Sequence, residues 1–326
     1  MLHNTRREPH SKLKSKRLPW RYSMTLCIAA LCGDAEGAQP ANRIVFGSDY
    51  RAETSWAAGN VAFKFGWIGE MGVLMAGEMS KALDFIATAR SVIDRDDAEP
   101  LRLDNLVDKF NEVSSTHKEK LCRRYVHQRL GIDFERFLAH GEAELPTDVR
   151  ARIFNDLSQL DYGCELIVFG FVRHESRMLK RVLCVPRIIE IDRYGEVFQH
   201  QNFAAIGTGS IIAKSTLYQR EQMSFLALDQ TLYHVYEAAK LAHSTAPGVG
   251  EIEFLVVAYA DDEGAMRLAQ TTPTCLETMS RLFAEVGPKS ITSIPALGDN
   301  SLIEIDTEPS DESSELGTDT PATPPT

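Results

Sequence analysis

Apolar positions follow two rhythms along this chain. In TLCIAALC (25–32) and RIVFGSD (43–49) they run almost unbroken over the length of a strand, with the Gly-, Asp- and Pro-containing stretch GDAEGAQPAN between them. That pattern predicts an antiparallel hairpin with a long loop. VAFKF (61–65) and GVLMAG (72–77) read as two further short strands. From Met79 the spacing lengthens to three and four: Ala82, Phe85, Ile86, Ala89 and Ile93 form one stripe, which predicts a helix over 79–93. Residues 101–130 continue as a long amphipathic helix carrying Leu103, Leu106, Val107, Phe110 and Val113, and shorter helices are expected around 133–140 and 146–160.

Strand character returns in CELIVFGFV (164–172), RVLCVPRIIEID (181–192) and the segment ending FAAIG (203–207), with a turn at Arg193–Glu196. Two helices are expected next, over 210–223 and 229–246, and the series closes on IEFLVVAYA (252–260) and a turn at 261–264. Strands, helix pair, strands, helix pair, strands is not the strict alternation of a parallel sheet. It suits an α+β protein with two stacked antiparallel sheets and helix pairs on their outer faces.

Composition narrows the class. A chain of 326 residues with 44% hydrophobic content can bury a sizeable core. No stretch approaches the ~18 consecutive apolar residues of a membrane span, and the basic start is not followed by the apolar run of a secretory signal, so the expected location is the cytoplasm. Six cysteines are scattered without paired spacing or clustered histidines, which favours buried thiols over disulfides or a zinc site. The net charge of -11 is uneven: residues 1–24 are basic, and residues 288–326 are acidic and rich in Ser, Thr and Pro. Both ends lack apolar periodicity and are expected to be disordered. The basic stretch SKLKSKR (11–17) has no interleaved aromatics, so it reads as a solvated arm and not as a nucleic-acid site.

The residues with chemical potential are Thr25, Asp49, Arg51, Lys64 and the small-residue turns MAGE (75–78) and IGTGS (206–210). A lysine in an apolar strand points either to water or to the interior. If inward, Lys64 needs a carboxylate, because an unpaired buried ammonium is too costly to keep its proton, and Asp49 is the natural partner.

In order along the chain, SMTLCIAALC, RIVFGSDYRAE, FKFG, GVLMAGE with a helix behind it, and AAIGTGS opening another helix resemble the proteasome β-type subunits and their bacterial relatives, HslV and the ancestral-β-type proteins called Anbu among them. The resemblance covers about residues 25–269 and is interrupted by extra sequence, a helical insertion at about 123–160. It implies a four-layer αββα sandwich and an N-terminal nucleophile hydrolase over residues 25–287, cleaving peptide bonds through an acyl-enzyme at Thr25. A chain-terminal α-amine can deprotonate that hydroxyl near neutral pH, whereas an amide nitrogen cannot. By the same resemblance Lys64 tunes the amine and hydroxyl, Asp49 holds Lys64, the Gly77 backbone N–H is the oxyanion donor, and Thr208 stands where the family has a serine. Arg51 and Ser244 are the supporting residues. Ser244 and Pro247 fall where the family carries an aspartate and a serine, which weakens the match there.

The resemblance further implies a self-compartmentalising homo-oligomer acting on peptides or unfolded protein, no cofactor and no metal. Whether an unfoldase assists is open. Three accounts of residues 1–24 are open too: initiation at Met24 with aminopeptidase trimming, cleavage by another route, or a leader that persists. Two other readings of the whole protein compete with the threonine enzyme. One is an inert structural subunit like the proteasome α-type; the other uses Cys27, one strand step beyond Thr25, as the nucleophile.

Overall fold

Every residue of the first strand, β1 (Cys27–Cys32), is buried, and its two faces feed different cores. Cys27, Ala29 and Leu31 point one way and Ile28, Ala30 and Cys32 the other, as strand geometry requires, so an unbroken apolar run marks a strand covered on both sides. The computed structural model describes residues 25–33, 41–49, 51–53, 58–60, 64–94, 101–176 and 181–288. The basic leader and the acidic tail lie outside the described residues, apart from Pro288.

After β1 come β2 (Arg43–Ser48), the two-stranded pair β3 (Arg51–Glu53) and β4 (Ala58–Asn60), then β5 (Phe65–Ile68) and β6 (Met71–Gly77). Helices α1 (Met79–Ile93), α2 (Leu106–Leu130), α3 (Phe134–Glu144) and α4 (Thr147–Ser158) follow. The second half holds β7 (Cys164–Ser176), β8 (Arg181–Ile191), β9 (Val197–His200), β10 (Phe203–Ile206), α5 (Ser210–Gln219), α6 (Leu228–Thr245), β11 (Val256–Ala260), β12 (Met266–Gln270) and α7 (Pro273–Val286).

Two five-stranded antiparallel sheets stack face to face, one ordered β10-β1-β2-β11-β12 and the other β5-β6-β7-β8-β9. Between them Leu31, Ile44, Phe46, Leu74, Ile167 and Phe169 form the shared interior. The outer face of the first sheet is covered by α5, α6 and α7 through Leu217, Val235, Ala239 and Met279, and that of the second by α1 and α2 through Phe85, Ile86, Phe110 and Val113. The fold is therefore a mixed α+β sandwich of two stacked sheets, as the segregated pattern predicts. The helical insertion has its own small core of Cys122, Val126, Phe137, Ile153 and Leu157.

Several boundaries differ from the sequence reading, for physical reasons. The segment ending FAAIG is two strands in different sheets: β9 lies at the edge of one and β10 at the edge of the other. The crossing is pinned at Asn202, whose carbonyl accepts the Leu31 N–H at 2.7 Å and whose side chain accepts the Ser224 N–H at 3.0 Å. Helix α2 starts only at Leu106, because Asn105 turns its side chain back to the Arg102 N–H at 2.7 Å. Helix α5 stops at Gln219, after which Gln222 turns inward to donate to the Leu31 carbonyl at 3.1 Å. Only 256–260 of 252–260 is strand; before it, Leu255 bonds the Thr271 side chain at 3.0 Å. Residues 61–63 of the expected strand VAFKF lie outside the described residues, and β5 begins at Phe65. Strand β12 and helix α7 were not expected. A Thr272 cap on the Cys275 N–H and Pro273 in the first turn begin α7.

Among the described residues no helix is long and apolar enough to cross a membrane. One buried polar group of α2 faces α1: His117 is 1% exposed, its Nδ1 lies 3.2 Å from Thr88 Oγ1, and its ring packs against Phe85 and Tyr162. Burial lowers its pKa from 6.5 to about 4. The unfolded chain therefore binds a proton below about pH 6.5 that the folded chain refuses until about pH 4, and stability is lost as the pH falls through that window. His117→Phe is expected to flatten the decline of the melting temperature between pH 6.5 and 4.5, as followed by circular dichroism; an unchanged slope would contradict this.

Candidate active site

The site forms where β1 begins. The hairpin register sets Cys27 opposite Ser48, and the Asp49 N–H closes on the Leu26 carbonyl at 3.0 Å, which brings the carboxylate beside the head of β1. Lys64 precedes β5 by one residue and is held by its carbonyl, which accepts the Met75 N–H at 3.1 Å. The chain thus delivers Thr25, Asp49 and Lys64 from three segments to one end of the interior between the sheets. All three are buried, Thr25 and Asp49 completely and Lys64 to within 3%.

Their side chains form one chain of hydrogen bonds. Lys64 Nζ donates to Thr25 Oγ1 and, at 2.8 Å, to Asp49 Oδ1, while Asp49 Oδ2 accepts the Gly250 N–H at 2.9 Å. A buried ammonium and a buried carboxylate each carry a desolvation cost of several kcal/mol, offset only when the two pair well and their remaining hydrogen-bonding capacity is filled. Here Asp49 is bonded through both oxygens. The sequence-based condition for an inward Lys64, a carboxylate partner, is met by the residue it named.

The chemistry follows from the donor set. An ammonium facing a hydroxyl oxygen stabilises negative charge on that oxygen, so Lys64 favours the Thr25 alkoxide. It cannot take the hydroxyl proton while it carries its own. A separate base is needed, and in the full chain the Thr25 nitrogen is an amide joined to Met24.

Glycines shape the surroundings. Gly207 has φ +87°, and a Cβ there would lie 2.3 Å from the Thr25 carbonyl oxygen, so only glycine allows the IGTGS turn to approach β1 this closely. The Gly209 N–H reaches the same carbonyl at 3.4 Å. Gly77, at φ +95°, ends β6 against Gly163, whose carbonyl oxygen would be 2.6 Å from a Cβ at residue 77. Gly77, Gly163, Gly207 and Thr208 line a cavity of about 230 Å3 together with Cys164, Glu165 and Arg193. Gly77 and Thr208 are thus placed near Thr25, but around this cavity and not in the Lys64 hydrogen-bond chain.

Ser244 is not brought to this group. Ser244 lies exposed at the end of α6 and donates to the Leu241 carbonyl at 2.9 Å, because a serine in a last helical turn reaches its own helix more easily than a distant strand. It makes no hydrogen bond to the Thr25 group. The same segment instead contributes a backbone donor, Gly250. Pro247 is exposed in the loop between them. Arg51 lies in β3, opposite Asn60, and its backbone alone is described. Cys27 is a poor nucleophile: burial drives its thiol pKa far up, outweighing the opposing pull of Lys64, and its Sγ donates to the Met75 carbonyl at 3.3 Å.

Glu165 was missed by the sequence reading. Its Oε2 accepts the Gly207 N–H at 2.8 Å, and the pairing of Gly77 with Cys164 sets it beside Gly77. A charged second position in the apolar strand CELIVFGFV was the available signal. A larger cavity of about 650 Å3, lined by Ser114, Lys118, Tyr162 and Tyr194 among others, shares no residue with the threonine site. Among the described residues no group of three or more His, Cys, Asp or Glu is placed to hold a metal ion. No protein-family model matches the chain, and no curated protein matches it.

Proposed function

We propose that the protein is a threonine-type N-terminal nucleophile hydrolase acting on amide bonds of peptides, built on the proteasome β-like sandwich that its sequence resembles. The observation that carries this reading is the Lys64 ammonium bonded at once to the Thr25 hydroxyl and the Asp49 carboxylate. Once the residues before Thr25 are removed, its α-amine is the local base. The amine accepts the Oγ1 proton as Oγ1 bonds to the substrate carbonyl carbon, Lys64 stabilises the oxygen as it loses that proton, and the Gly77 backbone N–H receives the oxyanion. The amine then returns the proton to the leaving nitrogen as the C–N bond breaks, leaving an ester on Thr25. Water adds to this ester with the amine again as base, and the acid product departs with the regenerated hydroxyl. Assembly into a homo-oligomer enclosing the sites, and action on unfolded chains, belong to the same reading.

A non-catalytic structural subunit is the second reading, and the complete burial of Thr25 within the uncut chain favours it. N-terminal sequencing and intact mass of protein purified from its own host, paired with a fluorogenic-peptide assay, separate the two. Thr25 is expected as the first residue of the active species. Activity from a chain that retains Met1 would overturn the mechanism, and a stable Thr25-first protein without hydrolytic activity would favour the structural role.

A further inference from the structure

We propose that the cavity beside Thr25 receives a cationic side chain, lysine or arginine, of the residue preceding the scissile bond, and that Glu165 is the residue that recognises it. The inference rests on the hydrolase reading for its place in catalysis, but the cation site itself can be tested without turnover.

Size comes first. At about 230 Å3 the cavity is smaller than the ~300–1,000 Å3 typical of pockets that enclose whole small-molecule ligands, which suits one side chain. Its position ties it to the chemistry, since Gly207 both lines it and packs against the Thr25 carbonyl, and Gly77 forms another part of its wall.

Charge comes next. Glu165 is half-buried, and its Oε2 is fixed by the Gly207 N–H at 2.8 Å, while Oε1 makes no hydrogen bond among the described residues. The cationic residue of the wall, Arg193, is committed to Asp161: its Nε donates to Asp161 Oδ2 at 3.1 Å and a terminal nitrogen donates to the same oxygen. Lys81 packs its aliphatic stem against Gly163, and among the described residues no ion pair joins it to Glu165. The cavity therefore holds one carboxylate that forms no ion pair among the described residues, oriented by the turn that also packs against the Thr25 carbonyl. A guanidinium or ammonium entering it gains an ion pair on top of the hydrogen bond to the carboxylate, and a neutral side chain of the same shape gains the hydrogen bond alone.

The test compares arginine with citrulline, which keeps the shape and loses the charge. For the Thr25-first protein, kcat/KM on a fluorogenic peptide with arginine before the fluorophore is expected to exceed that on the citrulline peptide by ~10–100-fold, and Glu165→Gln, which preserves an acceptor for the Gly207 N–H, is expected to bring the ratio near one. Glu165→Asp should restore part of the preference. Equal rates on the two peptides, or a ratio unmoved by Glu165→Gln, would overturn the assignment while leaving the hydrolase reading intact. Should the protein cleave neither peptide, the hydrolase reading fails, and calorimetry decides the site: acetyl-arginine-amide must bind at least ~10-fold more tightly than acetyl-citrulline-amide and lose that advantage in Glu165→Gln. No difference in binding would overturn it.

Discussion

Replacing Lys64 by methionine is expected to cut peptide hydrolysis by the Thr25-first protein ~10²-fold or more and, separately, to destabilise the fold by about 3–5 kcal/mol. The two losses have different origins. The catalytic loss comes from removing the positive charge that faces Thr25 Oγ1. The loss of stability comes from what remains, the fully buried Asp49 carboxylate with only the Gly250 N–H as a described partner. Changing Asp49 to asparagine in the same protein keeps an acceptor for that N–H and removes the stranded charge. The double variant Lys64→Met/Asp49→Asn is therefore expected to recover most of the stability in urea unfolding and none of the activity. It also guards against the ordinary ambiguity of an inactive variant, because a folded, stable and inactive double variant isolates the chemical role. Retained hydrolysis in Lys64→Met would remove Lys64 from the mechanism.

Thr25→Ala in the Thr25-first protein is expected to reduce hydrolysis to background, since it removes the atom that carries the acyl group in the proposed mechanism. Its structural cost should be small, about 1–2 kcal/mol for one lost hydrogen bond to Lys64, which keeps Asp49 as its partner. Thr25→Ser, which keeps the hydroxyl, should remain active. A covalent probe reports on the same atom: an electrophile that forms an ester should add its mass to the peptide beginning at Thr25 and to no peptide of the alanine variant. Unchanged turnover in Thr25→Ala would move the nucleophile elsewhere.

How much of this could be read beforehand depended on what kind of atom carried the information. Side-chain pattern was legible. The stripe through Ala82, Phe85, Ile86 and Ala89 marked α1 over the residues it occupies, and the unbroken run in β1 marked a strand with both faces covered. Lys64 was legible as a conditional statement, inward only with a carboxylate, and Asp49 meets the condition at 2.8 Å. Sheet membership was not legible: nothing in Val197–Ile206 says that β9 and β10 belong to different sheets, because that is settled by which edge each strand meets after the chain turns at Asn202. Backbone donors were hidden as well. At the end of α6 the polar side chain on offer is Ser244, whose hydroxyl serves its own helix, whereas the bond that reaches the site comes from the N–H of Gly250, a group every residue but proline possesses. Glu165 escaped notice because a single acid at the start of an apolar strand looks like a solvated end until the Gly207 turn is seen against it.

The link between Asp49 and Gly250 spans 201 positions of chain. During synthesis Thr25, Asp49 and Lys64 leave the ribosome long before residue 250 has been made, and until then one oxygen of the carboxylate depends on water. The dry environment of the ion pair is thus closed from the far end of the polypeptide, by the segment that leads into β11, and a truncated or half-finished chain lacks that closure. The surroundings of Thr25, Asp49 and Lys64 are in this way tied to completion of the molecule around them.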